Sequence, residues 1–159
     1  MSGAAGKWKM YDFAKKYVGD GTHDMDATAN WQCALFLSTS NANTLSVGTG
    51  VYGDLTNEHA NANGYTTGGV ALTGEVFTRS GGTVTFDAND PSWTASGGSI
   101  IARFAVIYAN ATLNGIVKPL LCVCLLDTTP ADVTATTGNT FPITLDAAGI
   151  IAISGATSD

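Results

Sequence analysis

The side chains that could carry out nucleophilic or acid–base catalysis are few in this sequence. Its 159 residues include two histidines, His23 and His59, and each lies in a polar, loop-like stretch. A catalytic serine needs a nearby base and a tight turn that exposes it, and the sequence contains no Gly-x-Ser-x-Gly turn. Carboxylate pairs of the glycosidase type are assembled from distant strands, so the sequence alone does not locate one. We therefore expect that the chain is not an enzyme.

Two other stretches resemble ligand sites but lack a necessary part. Asp20, Asp24 and Asp26 resemble half of a calcium loop, without the spacing, glycine and distal glutamate of an EF-hand. Residues 48–53 match Gly-x-Gly-x-x-Gly, but no long buried strand precedes them and no long helix follows. We expect neither a metal nor a cofactor here, and we interpret the aspartates as a solvated acidic turn.

The three cysteines are predicted to be structural. Cys122 and Cys124 are two residues apart, which places them on one strand face in a geometry unsuited to bridging each other. As a metal pair they would need two further ligands, for which the histidines are the obvious helpers. Cys33 also lies in an apolar run. All three are therefore expected to be buried thiols in a reducing compartment.

The elements that would position these residues are short strands. From about residue 70 the sequence alternates apolar and polar residues in short segments that Gly, Asn and Thr separate. This period of two predicts strands with one buried face. The clearest segments are 83–87, 100–108, 120–126, 141–145 and 149–153. Eight or nine such strands indicate an all-β fold, an antiparallel two-sheet sandwich of the jelly-roll kind. Its core is predicted to contain Phe86, Phe104, Val106, Leu121, Val123, Phe141 and Ile143.

The N-terminal segment differs from the rest of the chain. Residues 1–18 are predicted to form an arm and a short helix from Trp8 to Val18, and residues 19–159 the sandwich domain. Residues 38–69 are irregular, with one possible helical turn over 54–59, and are interpreted as a surface excursion that meets neighbours. Aromatic side chains dominate interface hot spots. We assign to an interface Lys7, Trp8, Lys9, Tyr11, Phe13, Tyr17, Tyr52 and Tyr65.

Charge supports a contact role for the segment. Residues 1–18 hold four lysines against one aspartate, a net +3, whereas the remaining 141 residues hold 12 acids against three bases, a net −9. A basic segment on an acidic body predicts docking on an acidic partner, including another copy of the chain. Three net charges release too few counterions for nucleic acid to be the expected partner.

The composition is that of a weakly charged β protein. Charged residues are 13% of the chain, about half of the roughly 25% that is typical of globular proteins. Its surface must therefore consist mainly of Thr, Ser, Asn, Gly and Ala. Such a surface is poorly protected against self-association. The first residues lack the apolar stretch of an export signal, and no segment reaches the length of a membrane span. We therefore expect neither export nor a membrane partner.

The sequence resembles small β-rich virion proteins of tailed bacteriophages, of the capsid cement or decoration type, over most of residues 11–154. The stretches that carry the resemblance are 31–37, 64–69, 86–95 and 102–108. The resemblance implies a structural component of the particle, made in the host cytoplasm, that binds the major capsid protein and copies of itself. It leaves a tail or neck protein as an alternative. A carbohydrate-binding sandwich that stacks sugars on Trp31, Trp93 and Tyr65 is a third.

Overall fold

The computed structural model describes residues 6–26, 30–128 and 131–155. Strands account for 38% of the structure and helix for 8%, which confirms the predicted all-β class. The helices are α1 (Asp12–Gly19) and a 3-10 turn (Tyr52–Asp54). The strands are β1 (Lys9–Met10), β2 (Trp31–Phe36), β3 (Val70–Ala71), β4 (Val76–Ser80), β5 (Thr83–Asp87), β6 (Ser92–Thr94), β7 (Ile100–Ala102), β8 (Phe104–Ala109), β9 (Thr112–Leu113), β10 (Ile116–Val117), β11 (Leu120–Leu125), β12 (Val133–Ala135), β13 (Thr140–Pro142) and β14 (Ile151–Ser154).

A five-stranded antiparallel sheet forms the centre of the molecule, in the order β1-β11-β8-β2-β3. All six residues of β8 are buried, as are the first five of β11, because both faces of these strands are covered. Their apolar side chains at both parities are typical of such central strands. The predicted apolar runs 100–108 and 120–126 thus contain the two most deeply buried strands of the central sheet along most of their length.

The remaining strands form smaller antiparallel sheets. One has three strands in the order β14-β5-β4, and the pairs β10-β9, β12-β7 and β13-β6 form three more. Gly81 and Gly82 connect β4 to β5 in a two-residue hairpin whose last pair is Ser80 and Thr83, as the Ser-Gly-Gly sequence predicts. Asn114 and Gly115 make an equivalent turn between β9 and β10, both with positive φ.

The run predicted as one strand over residues 100–108 is interrupted at Arg103, and that prediction is wrong in part. β7 pairs with β12, whereas β8 enters the central sheet. At the break, the Arg103 amide donates to the Phe36 carbonyl (2.7 Å) and its guanidinium donates to the carbonyl of Ala131. A charged side chain cannot continue into the buried face of β8, so the chain changes sheet where arginine can reach the rim.

The N-terminal helix begins later than predicted. Residues 9–10 form β1, which pairs with β11, and α1 starts only at Asp12. The Gly6 amide donates to the Leu125 carbonyl (2.7 Å) and the Tyr11 amide to that of Leu121 (3.1 Å). A helix from Trp8 would leave these edge carbonyls of β11 unpaired, which explains the extended start. The described part of the N-terminal segment therefore packs on the central sheet of its own chain.

The predicted core is confirmed. One cluster of buried side chains joins α1, the central sheet and the three-stranded sheet. The rings of Trp31 and Phe86 meet at 5.4 Å between their centroids, which connects the two larger sheets. Each core residue predicted from the sequence is at most 8% exposed, namely Phe86, Phe104, Val106, Leu121, Val123, Phe141 and Ile143.

Candidate interaction face

Three of the residues assigned to an interface lie inside the fold. Tyr11, Tyr17 and Tyr65 are 0%, 6% and 2% exposed. The Tyr11 hydroxyl donates to the Ala42 carbonyl (2.6 Å) and the Tyr17 hydroxyl to the Thr49 carbonyl (3.2 Å). These tyrosines therefore stabilise their own chain and present no contact surface in this fold, which corrects their assignment.

Three others, Lys7, Trp8 and Lys9, are consecutive, and the first two line a groove. Lys7 and Lys9 are exposed, and Trp8 is half-buried. Lys7 and Trp8 line a groove of about 720 Å³ together with β12, β13 and residues 143–150. In the same segment Lys15 pairs with Asp12 and Lys16 with Asp20, so the local excess of positive charge comes from Lys7 and Lys9.

The last two residues, Phe13 and Tyr52, are both partly buried, and Phe13 contacts the loop that carries Tyr52. Phe13 is packed so closely against Gly50 that a Cβ at that position would lie 2.6 Å from the Phe13 Cβ. Two residues later, the Tyr52 amide donates to the Lys118 carbonyl (2.9 Å). Val117, next to Lys118, is 59% exposed. We call Tyr52, Val117 and Lys118 the Tyr52 face.

Tyr52 is held rigidly at the centre of this face. Its ring stacks on that of Tyr108, with 4.4 Å between centroids and 25° between planes. The Lys118 Nζ lies 5.4 Å from the ring centroid on this half-buried side chain, within the range of a cation–π contact. The Tyr52 hydroxyl donates to the carboxylate of Glu58. Tyr52 is thus a fixed aromatic platform that loses little conformational entropy when a partner covers it.

Glu58 connects this platform to the interior. Its other carboxylate oxygen accepts from the Tyr65 hydroxyl (2.6 Å) and the Gly68 amide (2.7 Å). Glu58 is bridged to Phe36 in extended conformation, so the helical turn predicted over residues 54–59 is wrong. The helical turn lies at residues 52–54 instead.

The tyrosines around Glu58 remain proton donors throughout the neutral pH range. Burial first, and the hydrogen bond to Glu58 second, raise the pKa of Tyr52 and that of Tyr65. Burial and the field of Glu58 raise the pKa of Tyr108 to about 12. The Tyr108 hydroxyl lies 2.8 Å from the Gln32 Oε1 and 2.9 Å from the Gly68 carbonyl.

The glycine-rich stretch that matches a dinucleotide motif surrounds a carboxylate of its own chain. The amides of Thr49 (2.6 Å) and Val51 (3.2 Å) donate to Asp54 Oδ2. A Cβ on Gly48, whose φ is +42°, would overlap this carboxylate. The stretch is therefore a backbone anion nest that Asp54 already fills. Partial burial acts to raise the pKa of Asp54, but the amides of Val51, Thr49 and Gly50 outweigh it, and the pKa lies below its usual value.

We expect Asp54→Ala to lower the free energy of unfolding by about 1 kcal/mol at pH 7. The nest amides lose a charged acceptor, although water replaces part of it at this half-exposed site. Because the pKa of Asp54 is lowered in the fold, this contribution is complete above the ordinary aspartate pKa and disappears as the pH falls through the lowered one. Urea unfolding at pH 7 and below pH 3 measures both effects. Asp132→Ala, at an exposed aspartate, is the control, and equal losses in both variants would contradict the assignment.

The remaining candidates of the sequence have structural surroundings. Cys33, Cys122 and Cys124 are free and buried, as predicted, and burial raises the pKa of the Cys124 thiol to about 11. Asp20 accepts from Lys16 (2.6 Å) and from the Thr22 amide (3.0 Å). In the described parts of the chain, no three His, Cys, Asp or Glu side chains come close enough to hold a metal ion.

The side chains proposed for sugar stacking are not accessible. Trp31 is 1% exposed, Trp93 7% and Tyr65 2%. They belong to the core cluster, so they offer no ring face to a saccharide. This part of the carbohydrate-binding alternative is wrong.

Sequence reasoning did not identify all residues of the Tyr52 face, nor the residues that hold Tyr52 in place. Val117, Lys118, Glu58 and Tyr108 were assigned no role, because no spacing relates residue 58 to residue 108. A usable signal was the Asn-Gly turn at 114–115, which predicts a hairpin and hence an exposed strand end at residues 116–117.

Searches against family models, curated proteins and solved structures find nothing that matches this chain. Within residues 6–26, 30–128 and 131–155, no helix has both the length and the apolar character needed to cross a membrane. The Tyr52 face therefore has to be interpreted from its own geometry. It combines a fixed, half-exposed ring, an exposed valine and a cation, which suits burial against another protein.

Proposed function

We propose that this chain is a structural virion protein of a tailed bacteriophage that stabilises the capsid by binding across major capsid subunits. The observation that carries the proposal is the immobilised, half-exposed ring of Tyr52 beside the Lys118 ammonium, whose neighbour in the chain, Val117, is exposed. Interface energy concentrates in such rigid aromatic centres. Binding to the assembled shell alone raises the free energy needed to separate its subunits.

The proposed fold is a jelly-roll-like sandwich. Its two layers would be the five-stranded sheet and the β14-β5-β4 sheet. The contact between Trp31 and Phe86 supports this arrangement, since these residues come from different sheets and share one core. Sandwiches of this kind leave their outer surfaces and loops available for assembly contacts.

The charge distribution supports contacts with capsid subunits and with copies of the same chain. Lys7 and Lys9 are exposed on an otherwise acidic protein. The proposal includes adhesion without catalysis, metal or cofactor, a place in the virion, and synthesis in the host cytoplasm. A tail or neck location remains the alternative, and the number of copies per particle distinguishes them, because a cement protein is present in many copies and a neck protein in few.

We expect Val117→Asp to weaken binding to particles that lack the protein by at least about tenfold, equivalent to about 1.4 kcal/mol. The new carboxylate would have to be desolvated beside the buried edge of the contact. Val117 is 59% exposed, so the variant should fold normally. Sedimentation of particles with the bound protein measures the affinity, and rupture on heating measures the stabilisation.

The matched control is Val76→Asp, which changes another exposed valine, on β4 (48% exposed). It should bind as tightly as the unmodified chain. If both variants bind normally, the Tyr52 face is not the contact surface. If no variant and no unmodified chain binds capsids, the capsid proposal itself is wrong.

A further inference from the structure

His23 is buried at the junction between α1 and the central sheet. It is 3% exposed, and its ring lies between those of Tyr17 (5.5 Å between centroids) and Trp31 (5.3 Å). Its Nε2 is 3.0 Å from the carbonyl oxygen of Leu120 on β11. A carbonyl can only accept, so the neutral ring carries its proton on Nε2 and donates it to Leu120.

The other ring nitrogen has no partner. Nδ1 of His23 is buried without a hydrogen-bonding atom in the described residues. A neutral ring leaves only a lone pair at that position, whereas an imidazolium would place a second N–H there with no acceptor. Protonation is therefore opposed by the geometry of the site.

The groups that face the His23 ring do little to stabilise its protonated form. α1 contributes Tyr17, and Asp20, which follows α1 and pairs with Lys16 (2.6 Å), contributes a carboxylate charge; β2 contributes Trp31, and β11 the Leu120 carbonyl. Desolvation lowers the pKa of His23, and the Leu120 carbonyl and the more distant charge of Asp20 oppose this only in part. The neutral ring is thus the form that fits this site.

His23 also anchors several elements at once. Its amide donates to the Tyr17 carbonyl near the end of α1 (2.9 Å), while its ring is bound to β11. The neighbouring Thr22 accepts from Asn114 of the β9-β10 turn (3.2 Å). α1 carries Phe13, which packs against Gly50 two residues before Tyr52, so the position of the helix affects the loop that carries Tyr52.

We propose that His23 is a pH-sensitive latch whose protonation releases α1 and residues 20–24 from the central sheet. The opened state gives the imidazolium access to water, and it therefore binds a proton more readily than the closed state. The ordinary pKa of histidine is about 6.5, so the latch is closed above that pH. As the pH falls below that pKa, the closed state becomes less stable relative to the opened state. Opening withdraws Phe13 from Gly50 and so loosens the loop that holds Tyr52, and acidification would therefore reduce binding through the Tyr52 face.

Two measurements on the full chain test the latch. The sequence holds two histidines, so NMR of histidine-labelled protein gives two ring signals, which His59→Gln assigns. Hydrogen exchange at pH 7.5 and pH 5.0, corrected for intrinsic rates, follows the helical amides of Lys15 and Asp20. We expect the His23 signal to titrate below 6.5, and protection of these amides to fall at least tenfold at pH 5.0 while β8 stays protected.

The variant that separates charge from packing is His23→Gln. Glutamine retains a donor for the Leu120 carbonyl but does not titrate, so its α1 protection should be independent of pH. His59→Gln should retain the full response. The proposal is overturned by a pH response in His23→Gln equal to that of the unmodified chain, by loss of the response in His59→Gln, or by α1 protection that does not change with pH in the unmodified chain. If His23→Gln does not fold, a His23 signal that titrates at or above 6.5 overturns it equally.

Discussion

Glu58→Ala is expected to lower the free energy of unfolding by about 3–5 kcal/mol. The carboxylate accepts from the hydroxyls of Tyr52 and Tyr65 and from the Gly68 amide. Each donor left without an acceptor in a buried position costs about 1–3 kcal/mol. Tyr65 is 2% exposed, so water cannot replace the acceptor at its hydroxyl without opening the structure. Chemical denaturation at pH 7 measures the loss.

Two further variants test whether the loss of stability in Glu58→Ala comes from the unpaired hydrogen-bond donors. Glu75→Ala removes another half-buried glutamate, immediately before β4, and should cost less than about 1 kcal/mol. Tyr65→Phe in the Glu58→Ala background removes one of the stranded donors, so the double variant should lose less than the sum of the single losses. Strict additivity, or equal losses for the two glutamates, would contradict the network assignment.

Gly69→Ala is expected to be at least as damaging, at about 3 kcal/mol or more. Gly69 has φ +80° where the chain enters β3. A Cβ there would overlap the Cys33 carbonyl oxygen and lie 2.7 Å from the Ala34 Cα, and backbone of the central sheet cannot move aside. The variant must therefore give up the β2-β3 pairing or distort β2.

Gly81→Ala separates steric overlap from conformational preference. Gly81 also has a positive φ (+58°), but a Cβ at that position meets no atom within 4 Å. Its cost should be that of the left-handed conformation alone, about 1–2 kcal/mol. Thermal unfolding of both variants decides the matter, and similar melting temperatures would mean that the approach of Gly69 to β2 is less tight than described.

The alternation in the sequence predicted the local structure well, and the partners of each strand poorly. β5 has the predicted bounds, because Thr83–Asp87 alternates regularly after a two-glycine turn. Periodicity does not report that β7 and β8 enter different sheets, since both read as apolar. The change of sheet at Arg103 depends on the carbonyls of Phe36 and Ala131, which are distant in sequence.

The same limit applies to the interaction face. Counting aromatic residues in irregular segments selected Tyr52 and Phe13, which are partly exposed, and also Tyr11 and Tyr65, which are buried. What distinguishes them is tertiary packing. The Tyr11 hydroxyl donates to the Ala42 carbonyl, and the Tyr65 hydroxyl accepts from the Leu35 amide. Both partners lie about 30 residues away in the sequence, so no local pattern identifies them.

The strand order of the central sheet determines when this protein can fold during synthesis. β2 pairs along its whole length with β8, with Phe36 opposite Phe104. β1 pairs with β11, which ends at Leu125, so this pairing can form only after residue 125 has been synthesised. At roughly 5–20 residues per second, on the order of ten seconds separate the emergence of β2 from the ribosome and the arrival of its neighbours. During that interval the apolar strand Trp31–Phe36 has no native partner on its β8 side. Nascent chains that stall before residue 109 would thus expose an unpaired apolar strand, so productive folding depends on uninterrupted translation or on a chaperone that covers β2.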